Sequence, residues 1–435
     1  MTRIAIIGAG SVEFTRNIVA DLCGFPELHG SITLALHDID EERLAYAGLA
    51  AASIIRRTGA GYAVEEHPER RPALESVDVA INEIQVGGYR ATVTDFEIPK
   101  RFGVRQTIAD TLGIGGIMRG LRTIPVMVGI GNDLHELAPD ALLLNYANPM
   151  AMVPWGVYAG TPFTNVIGVC HSVRDTHAFL AETVGVSLED VAFRTAGFNH
   201  QCFVLEFRRR STGEDLYPRL REIVDADPEG LGRRVRVELF RRFGYFPTES
   251  SEHSSEYVPW FLSHDDQIER FRIPVDEYIR RSDENLLEWA RTKAALDAGQ
   301  ELEIEPTGEL ASEIVHSMLT GTEREVYVNV RNDGLIDGLP ADACVEVPAR
   351  ADGAGVHPIA MGVLPPPCLA LNRTFVNVVE LTVRAVLEER RDLVYQATML
   401  DPNTAATLST SRIVSMVDEM LEAHGDLIPQ GIRPG

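Results

Sequence analysis

Residues Ile4-Ala5-Ile6-Ile7 run without a polar break into Gly8-Ala9-Gly10-Ser11, and this junction constrains the fold more than any other stretch. An apolar run of this length, rich in β-branched residues, marks a strand buried on both faces of a parallel sheet. Asn17 to Cys23 then has helical spacing. Where a strand feeds a glycine turn into a helix, the unpaired N–H groups and dipole at the helix start favour an anion, so the turn is a candidate dinucleotide site. The third glycine of the usual fingerprint is replaced by Glu13, and Asp38 comes later than the roughly 20-residue spacing expected of its acid. Asp38 nonetheless ends an apolar strand, where a carboxylate accepts from a ribose 2′-hydroxyl and repels a 2′-phosphate. Gly8, Gly10, Ser11 and Asp38 therefore point to NAD rather than NADP, although a glycine turn after a strand also occurs without any nucleotide.

The pattern continues in the same style. Strands are expected at Ile32–His37, Val77–Ile81, Ala141–Tyr146 and Asn165–Val169, with a long Ala-rich helix over Glu41–Arg57. Strands alternating with helices of this length build a doubly wound α/β sheet of the Rossmann type. After about residue 190 the pattern changes. Phe193–Thr195, Cys202–Phe207, Glu325–Val330 and Ala343–Val347 read as strands of a partly antiparallel kind. Helices are expected at 230–243, Glu284–Ala298, Gly308–Leu319, Asn377–Arg390 and Ser411–Ala423. Gly353–Gly355 and Pro365–Pro367 read as loops or linkers. The division drawn is a nucleotide-binding domain over 1–195 and a mixed α/β domain over 196–435, serving substrate, metal and oligomerisation; 435 residues also exceed one ordinary core.

A net charge of −24 repels nucleic acid and anionic membranes alike. Five widely spaced cysteines form no disulfide framework. Neither a signal peptide nor an apolar run of about 18 residues occurs, so a cytoplasmic protein with no membrane or nucleic-acid partner is expected.

Cys170 ends an apolar strand, and His200 follows Asn199 in a second segment. A thiol and an imidazole brought together can share a divalent cation, while each taken alone is an ordinary buried side chain. His171 beside the thiol is either a proton donor or an exposed loop residue. Asn148-Pro149 places an amide at the carboxyl edge of the sheet, where α/β ligands bind, or simply makes a turn. Asp110 opens a Gly-rich loop, Asp110–Gly116, and could merely cap a helix. The stretch Glu249–Tyr257 is unusually polar, which a solvated loop would also explain.

Longer strings carry a resemblance. Thr94-Asp95-Phe96, Gln106–Gly113, Gly115-Gly116-Ile117-Met118-Arg119, Asn148–Met152, Cys170-His171-Ser172-Val173, Asn199-His200, Thr248–His253 with Glu256-Tyr257, and Asn329–Gly334 together resemble glycoside hydrolase family 4, and within it the α-galactosidase branch. This family is the NAD-dependent exception to two-carboxylate glycoside hydrolysis. The resemblance implies oxidation of the sugar at C3 by NAD, deprotonation at C2, elimination of the aglycone and re-addition of water, with Mn²⁺ as Lewis acid. Carried over, Cys170 and His200 are similar to the metal ligands and Tyr257 to the C2 base. Asp110 resembles the carboxylate that makes that tyrosinate more basic, and Asn148 a substrate-binding amide. His171 stands where phospho-glycosidase members carry an aspartic acid; the Cys-His-Ser form resembles enzymes of unphosphorylated galactosides. α-Glucuronidases and α-galacturonidases share much of this frame.

The expectation is thus an NAD- and Mn²⁺-dependent α-galactosidase acting on a small α-galactoside as a homodimer or homotetramer. Two other classes share the nucleotide fold: a 2-hydroxyacid dehydrogenase, which would consume NAD⁺, and a non-catalytic nucleotide sensor.

Overall fold

The structure is a computed structural model that describes all residues except 12–13, 228–230, 233, 303 and 435. The Glu13 position lies outside the described residues, as does the start of the helix expected from 230, which is seen over Arg234–Phe243.

The N-terminal part is a parallel sheet in the order Ala63–His67, Ile32–His37, Thr2–Ile7, Val79–Asn82, Leu142–Asn145, Val166–Gly168. Its inner strands are apolar because both faces are covered: Ile4, Ile6, Leu34, Leu36, Ile81 and Leu144 are fully buried. Helices Phe14–Cys23, Glu41–Thr58, Gly113–Leu137 and Met152–Gly160 lie between these strands in sequence. Asp40 starts the second of them, its carboxylate accepting from Arg43 N at 3.0 Å. Strand order reverses between Thr2–Ile7 and Val79–Asn82, so the glycine turn after Ile7 sits at the topological switch point, where α/β ligands bind.

Among the described residues the sheet has 12 strands, because it continues past Val166–Gly168. Arg324–Arg331 pairs antiparallel to that strand, followed by Cys344–Asp352, Val191–Phe198, Gln201–Arg209 and Phe246–Pro247. Residue 195 therefore falls inside the strand Val191–Phe198. The shared sheet matters for function. Asn329 is in register with Gly168 and Glu346, and Glu346 with Gly197. This register sets the Asn199–His200 corner close to the end of the strand that carries Cys170.

Three expectations need correction. The Asp110–Gly116 stretch is not all loop, for a helix begins at Gly113 and runs to Leu137. Pro365–Pro367 is no linker. It opens the helix Pro366–Leu387, since proline at the first helical position loses only an N–H that has no intrahelical partner anyway. The expected helix Asn377–Arg390 is the C-terminal half of this element, which ends at Leu387. Ala63–His67 and the helix Gly88–Phe102 went unseen, the first because an edge strand of sequence AVEEH has no buried face to mark it.

The C-terminal helix Thr410–His424 is tied to the N-terminal half by a buried ionic knot. Asp95 accepts from Arg122 Nη2 at 2.5 Å and Nη1 at 3.1 Å, and its Oδ1 lies 2.9 Å from His424 Nε2.

Candidate active site

Cys170 follows the strand Val166–Gly168, and His200 sits at the corner between Val191–Phe198 and Gln201–Arg209. His200 Nε2 is 3.3 Å from Cys170 Sγ and 3.3 Å from Glu249 Oε2. These three ligand atoms lie within 4.8 Å of one another, a separation one cation can bridge. Glu249 was not singled out in the sequence. It lies in the Glu249–Tyr257 stretch, which is no solvated loop: Ser251–Glu256 is a short helix with His253, Ser254, Ser255 and Glu256 buried. The string Thr248–His253 was the available signal, but sequence alone did not say which of its residues would face Cys170.

Strain is concentrated here. Ala109, His200 and Glu249 adopt φ of 54°, 62° and 69°, the left-handed region that non-glycine residues disfavour, and such residues gather where function over-determines the backbone.

Tyr257, Asp110 and Asn148 converge beside the ligand cluster. The Tyr257 hydroxyl is 3.2 Å from His200 Nδ1 and the ring is 1% exposed. Asn148 Nδ2 donates to Asp110 Oδ2 at 2.8 Å, while Asn148 Oδ1 is buried with no partner, an acceptor left for a ligand hydroxyl. Asp110 Oδ1 lies 3.6 Å from His253 Nε2. Burial alone would push the Asp110 carboxyl up, but the His253 imidazole together with the Arg119 and His200 charges outweighs it and holds the group well below the usual range. Burial raises Tyr257 well above its ordinary value, and the Asp110 charge raises it further. His200 goes the other way. Burial opposes its charged form, yet the Glu249 carboxylate and Cys170 thiol lift it to about 10.

The loop that carries Asp110 is held from beneath. Glu256 accepts from Ile108 N at 2.5 Å, Ala109 N at 3.0 Å and Thr107 Oγ1 at 2.6 Å, and from Thr107 N as well. A buried carboxylate with this many donors orders the chain around it.

His171 does not join this cluster. Its Nε2 is 2.9 Å from Glu309 Oε2, and its ring lies parallel to Phe14 and near Tyr146. Phe14 is the first residue of the helix that follows the nucleotide turn. That turn has Gly8 at φ 85°, and a Cβ on Gly10 would come within 2.8 Å of Asp38 Oδ2 and 2.5 Å of Arg43 Cβ. Asp38 accepts from Gly10 N at 2.8 Å and from Asp40 N at 2.9 Å, so it pins the turn while keeping further lone pairs for a ribose hydroxyl. Ser11 N closes the turn on Gly8 O at 3.0 Å. Glu83, at the end of the neighbouring strand, accepts from Thr15 Oγ1 at 3.0 Å, and burial lifts its carboxyl to about 8.

The residues present fit both groups expected of this site. A thiolate, an imidazole and a carboxylate form a mixed donor set, in which the carboxylate suits Mn²⁺ and offsets the softness of the thiolate. A tight glycine turn ahead of a helix start suits a pyrophosphate.

Two family models match the chain: that described as family 4 glycosyl hydrolase over residues 3–186, and the family 4 glycosyl hydrolase C-terminal domain over 195–404. An alpha-galactosidase of Bacillus subtilis (strain 168) is 41% identical over 99% of this chain and 100% of its own. An alpha-galactosidase of Rhizobium meliloti (strain 1021) is 35% identical over 98% of this chain and 89% of its own. A 6-phospho-alpha-glucosidase from gut microorganisms, solved in complex with NAD and Mn²⁺, superposes with a TM-score of 0.82 at 20% identity, covering 98% and 99% of the two chains. No helix among the described residues is long and apolar enough to cross a membrane.

Proposed function

Because the chain belongs to glycosyl hydrolase family 4, we propose that it is an α-galactosidase dependent on NAD and Mn²⁺, acting in the cytoplasm as a homo-oligomer on a small α-galactoside. The observation that carries this reading is the meeting of Cys170, His200 and Glu249 beside Tyr257, Asp110 and Asn148. Likeness to alpha-galactosidases across the full chain supports the substrate.

Cys170, His200 and Glu249 would hold the cation, and Gly8, Gly10, Ser11 and Asp38 the dinucleotide. When bound, NAD supplies a reversible hydride acceptor for the C3 hydroxyl and Mn²⁺ a Lewis acid for the ketone. The protein's own part is proton management and orientation. Tyr257 removes the C2 proton. Asp110 keeps the phenol's proton affinity high, which makes its anion a strong base once formed. The partnerless Asn148 Oδ1 receives a sugar hydroxyl and fixes the ring against Tyr257. His171, held by Glu309, is assigned to protonate the departing oxygen. The thiol at Cys170 needs a reducing compartment, which supports the cytoplasmic placement.

The test is hydrolysis of p-nitrophenyl α-galactoside, with the α-glucuronide and α-galacturonide alongside. Turnover of the galactoside is expected only with NAD⁺ and a divalent cation, and without net NADH. Steady hydrolysis after thorough removal of both would end this reading, and stoichiometric NADH would favour a dehydrogenase.

A further inference from the structure

Thr111 is 3% exposed and lies between two groups of the site that do not touch each other. Its Oγ1 is 2.8 Å from Asp110 Oδ1 and 3.1 Å from His200 Nδ1. A hydroxyl has one proton to donate and lone pairs with which to accept. Asp110 accepts from Asn148 on its other oxygen and has no proton to give, so the threonine O–H points to Asp110. The contact with His200 is then fixed in direction, because Thr111 Oγ1 can only accept from Nδ1. When the ring gives up one proton to a cation, the proton it keeps is therefore on Nδ1, and the lone pair opens on Nε2, the nitrogen that faces Cys170 Sγ and Glu249 Oε2.

Without Thr111 this outcome is not secured. The Tyr257 hydroxyl is 3.2 Å from the same Nδ1 and could donate to it, which would place the imidazole proton on Nε2, the side where a cation must bind. The ring also lacks the support of a regular strand, for His200 occupies a left-handed corner at φ 62°. Metal-ligating histidines take their tautomer and orientation from the partner of the other ring nitrogen, and loss of that partner costs about 10–100-fold in metal affinity.

We infer that Thr111 is a positioning residue that passes the acceptor demand of Asp110 to His200 Nδ1 and so locks the tautomer that presents Nε2 to the metal. The inference rests on the metal-site reading above and extends it from three ligands to a chain Asp110–Thr111–His200. It joins the carboxylate near the base to the cation through one hydroxyl.

Metal-free protein loaded with NAD⁺ is titrated with Co²⁺, read by thiolate-to-cobalt absorption, for wild type, Thr111→Val and Thr111→Ser. Valine keeps the branched shape and loses the hydroxyl; serine keeps the hydroxyl. The expected result is a Kd for Co²⁺ about 10–100-fold weaker in T111V and close to wild type in T111S, with NAD⁺ affinity unchanged in both. Wild-type Co²⁺ affinity in T111V overturns the inference. So does a loss in T111S equal to that in T111V, which would assign the residue to packing. Unchanged NAD⁺ affinity separates a folding failure from a site effect. A wild-type protein that binds no Co²⁺, or a Cys170→Ala variant that binds it as tightly, overturns the metal reading itself and this inference with it.

Discussion

The phenol oxygen of Tyr257 stands 3.2 Å from Nδ1 of His200, whose other nitrogen faces Cys170 and Glu249, the proposed metal ligands. One imidazole thus separates the assigned base from the assigned cation. The two functions are joined by this ring, yet different atoms serve each, so they can be removed one at a time.

Tyr257→Phe should do so. Phenylalanine retains the ring, which meets Phe375 at 5.5 Å, and deletes only the hydroxyl. Loss of a general base costs about 10²–10⁴ in rate. The expectation is a fall in kcat of that order with metal affinity close to that of wild type, since Thr111 still holds His200 Nδ1. Incorporation of solvent deuterium at C2 of the product should fall in parallel. A kcat within twofold of wild type would remove Tyr257 from the role of base.

Glu249→Gln addresses the other side of the ring. Carboxylates suit hard cations, while thiolate and imidazole hold softer ones. Removing the carboxylate should weaken Mn²⁺ more than Zn²⁺ or Co²⁺, shifting the preference by about tenfold or more. Competition titrations on metal-free protein measure this. Equal losses for all three metals would show that Glu249 contributes charge alone.

What the sequence made legible follows from which forces act locally. The strand Thr2–Ile7 and the turn after it could be read because burial on both faces demands an unbroken apolar run and the turn demands glycine. Cys170 and His200 could be named from their motifs. Glu249 could not, because its approach to His200 depends on the pairing of Phe246–Pro247 with Gln201–Arg209, a long-range contact with no local trace. The same holds for Glu309, which reaches His171 from 138 residues away. A polar string ahead of an apolar one looks like a solvated loop until distant parts of the chain cover it, as the 107–110 loop covers His253 and Glu256.

The helix Glu277–Asp297 crosses near the nucleotide turn without burying a single residue. It is held by polar and ring contacts. The Arg43 guanidinium, which donates to Gly10 O at 2.9 Å, lies 4.8 Å from the centre of the Trp289 ring, and Tyr89 donates to Asp283 at 2.6 Å. Trp289 lines a fissure with Gly10, Ser11 and Arg16. NAD⁺ binding should therefore quench tryptophan fluorescence, and Trp289→Phe should remove most of that change while Trp155→Phe, deep in the core, should not. A quench undiminished in W289F would place this helix outside the cofactor's reach.

Asp401 yields a prediction about pH. Its carboxylate is 1% exposed and accepts from Thr404 N at 2.8 Å at the start of the helix Pro402–Thr407. Burial outweighs that hydrogen bond and raises the group from 3.8 to about 6, with Glu256 adding a smaller push in the same direction. A carboxyl raised in the folded state binds its proton more tightly there than in the unfolded chain. Between about pH 4 and 6 the native state thus holds more protons than the unfolded one, and stability falls as pH rises. Above about pH 6 the full cost is present, on the order of 2–3 kcal/mol at 1.36 kcal/mol per unit. Asp401→Asn keeps an acceptor for Thr404 N and cannot ionise. Denaturant unfolding of both proteins from pH 4.5 to 8 should show the variant gaining on wild type as pH rises, by up to about 2 kcal/mol. Comparing the pair cancels every other titrating group, so a difference that stays constant with pH would mean that Asp401 ionises in the fold as freely as it does in water.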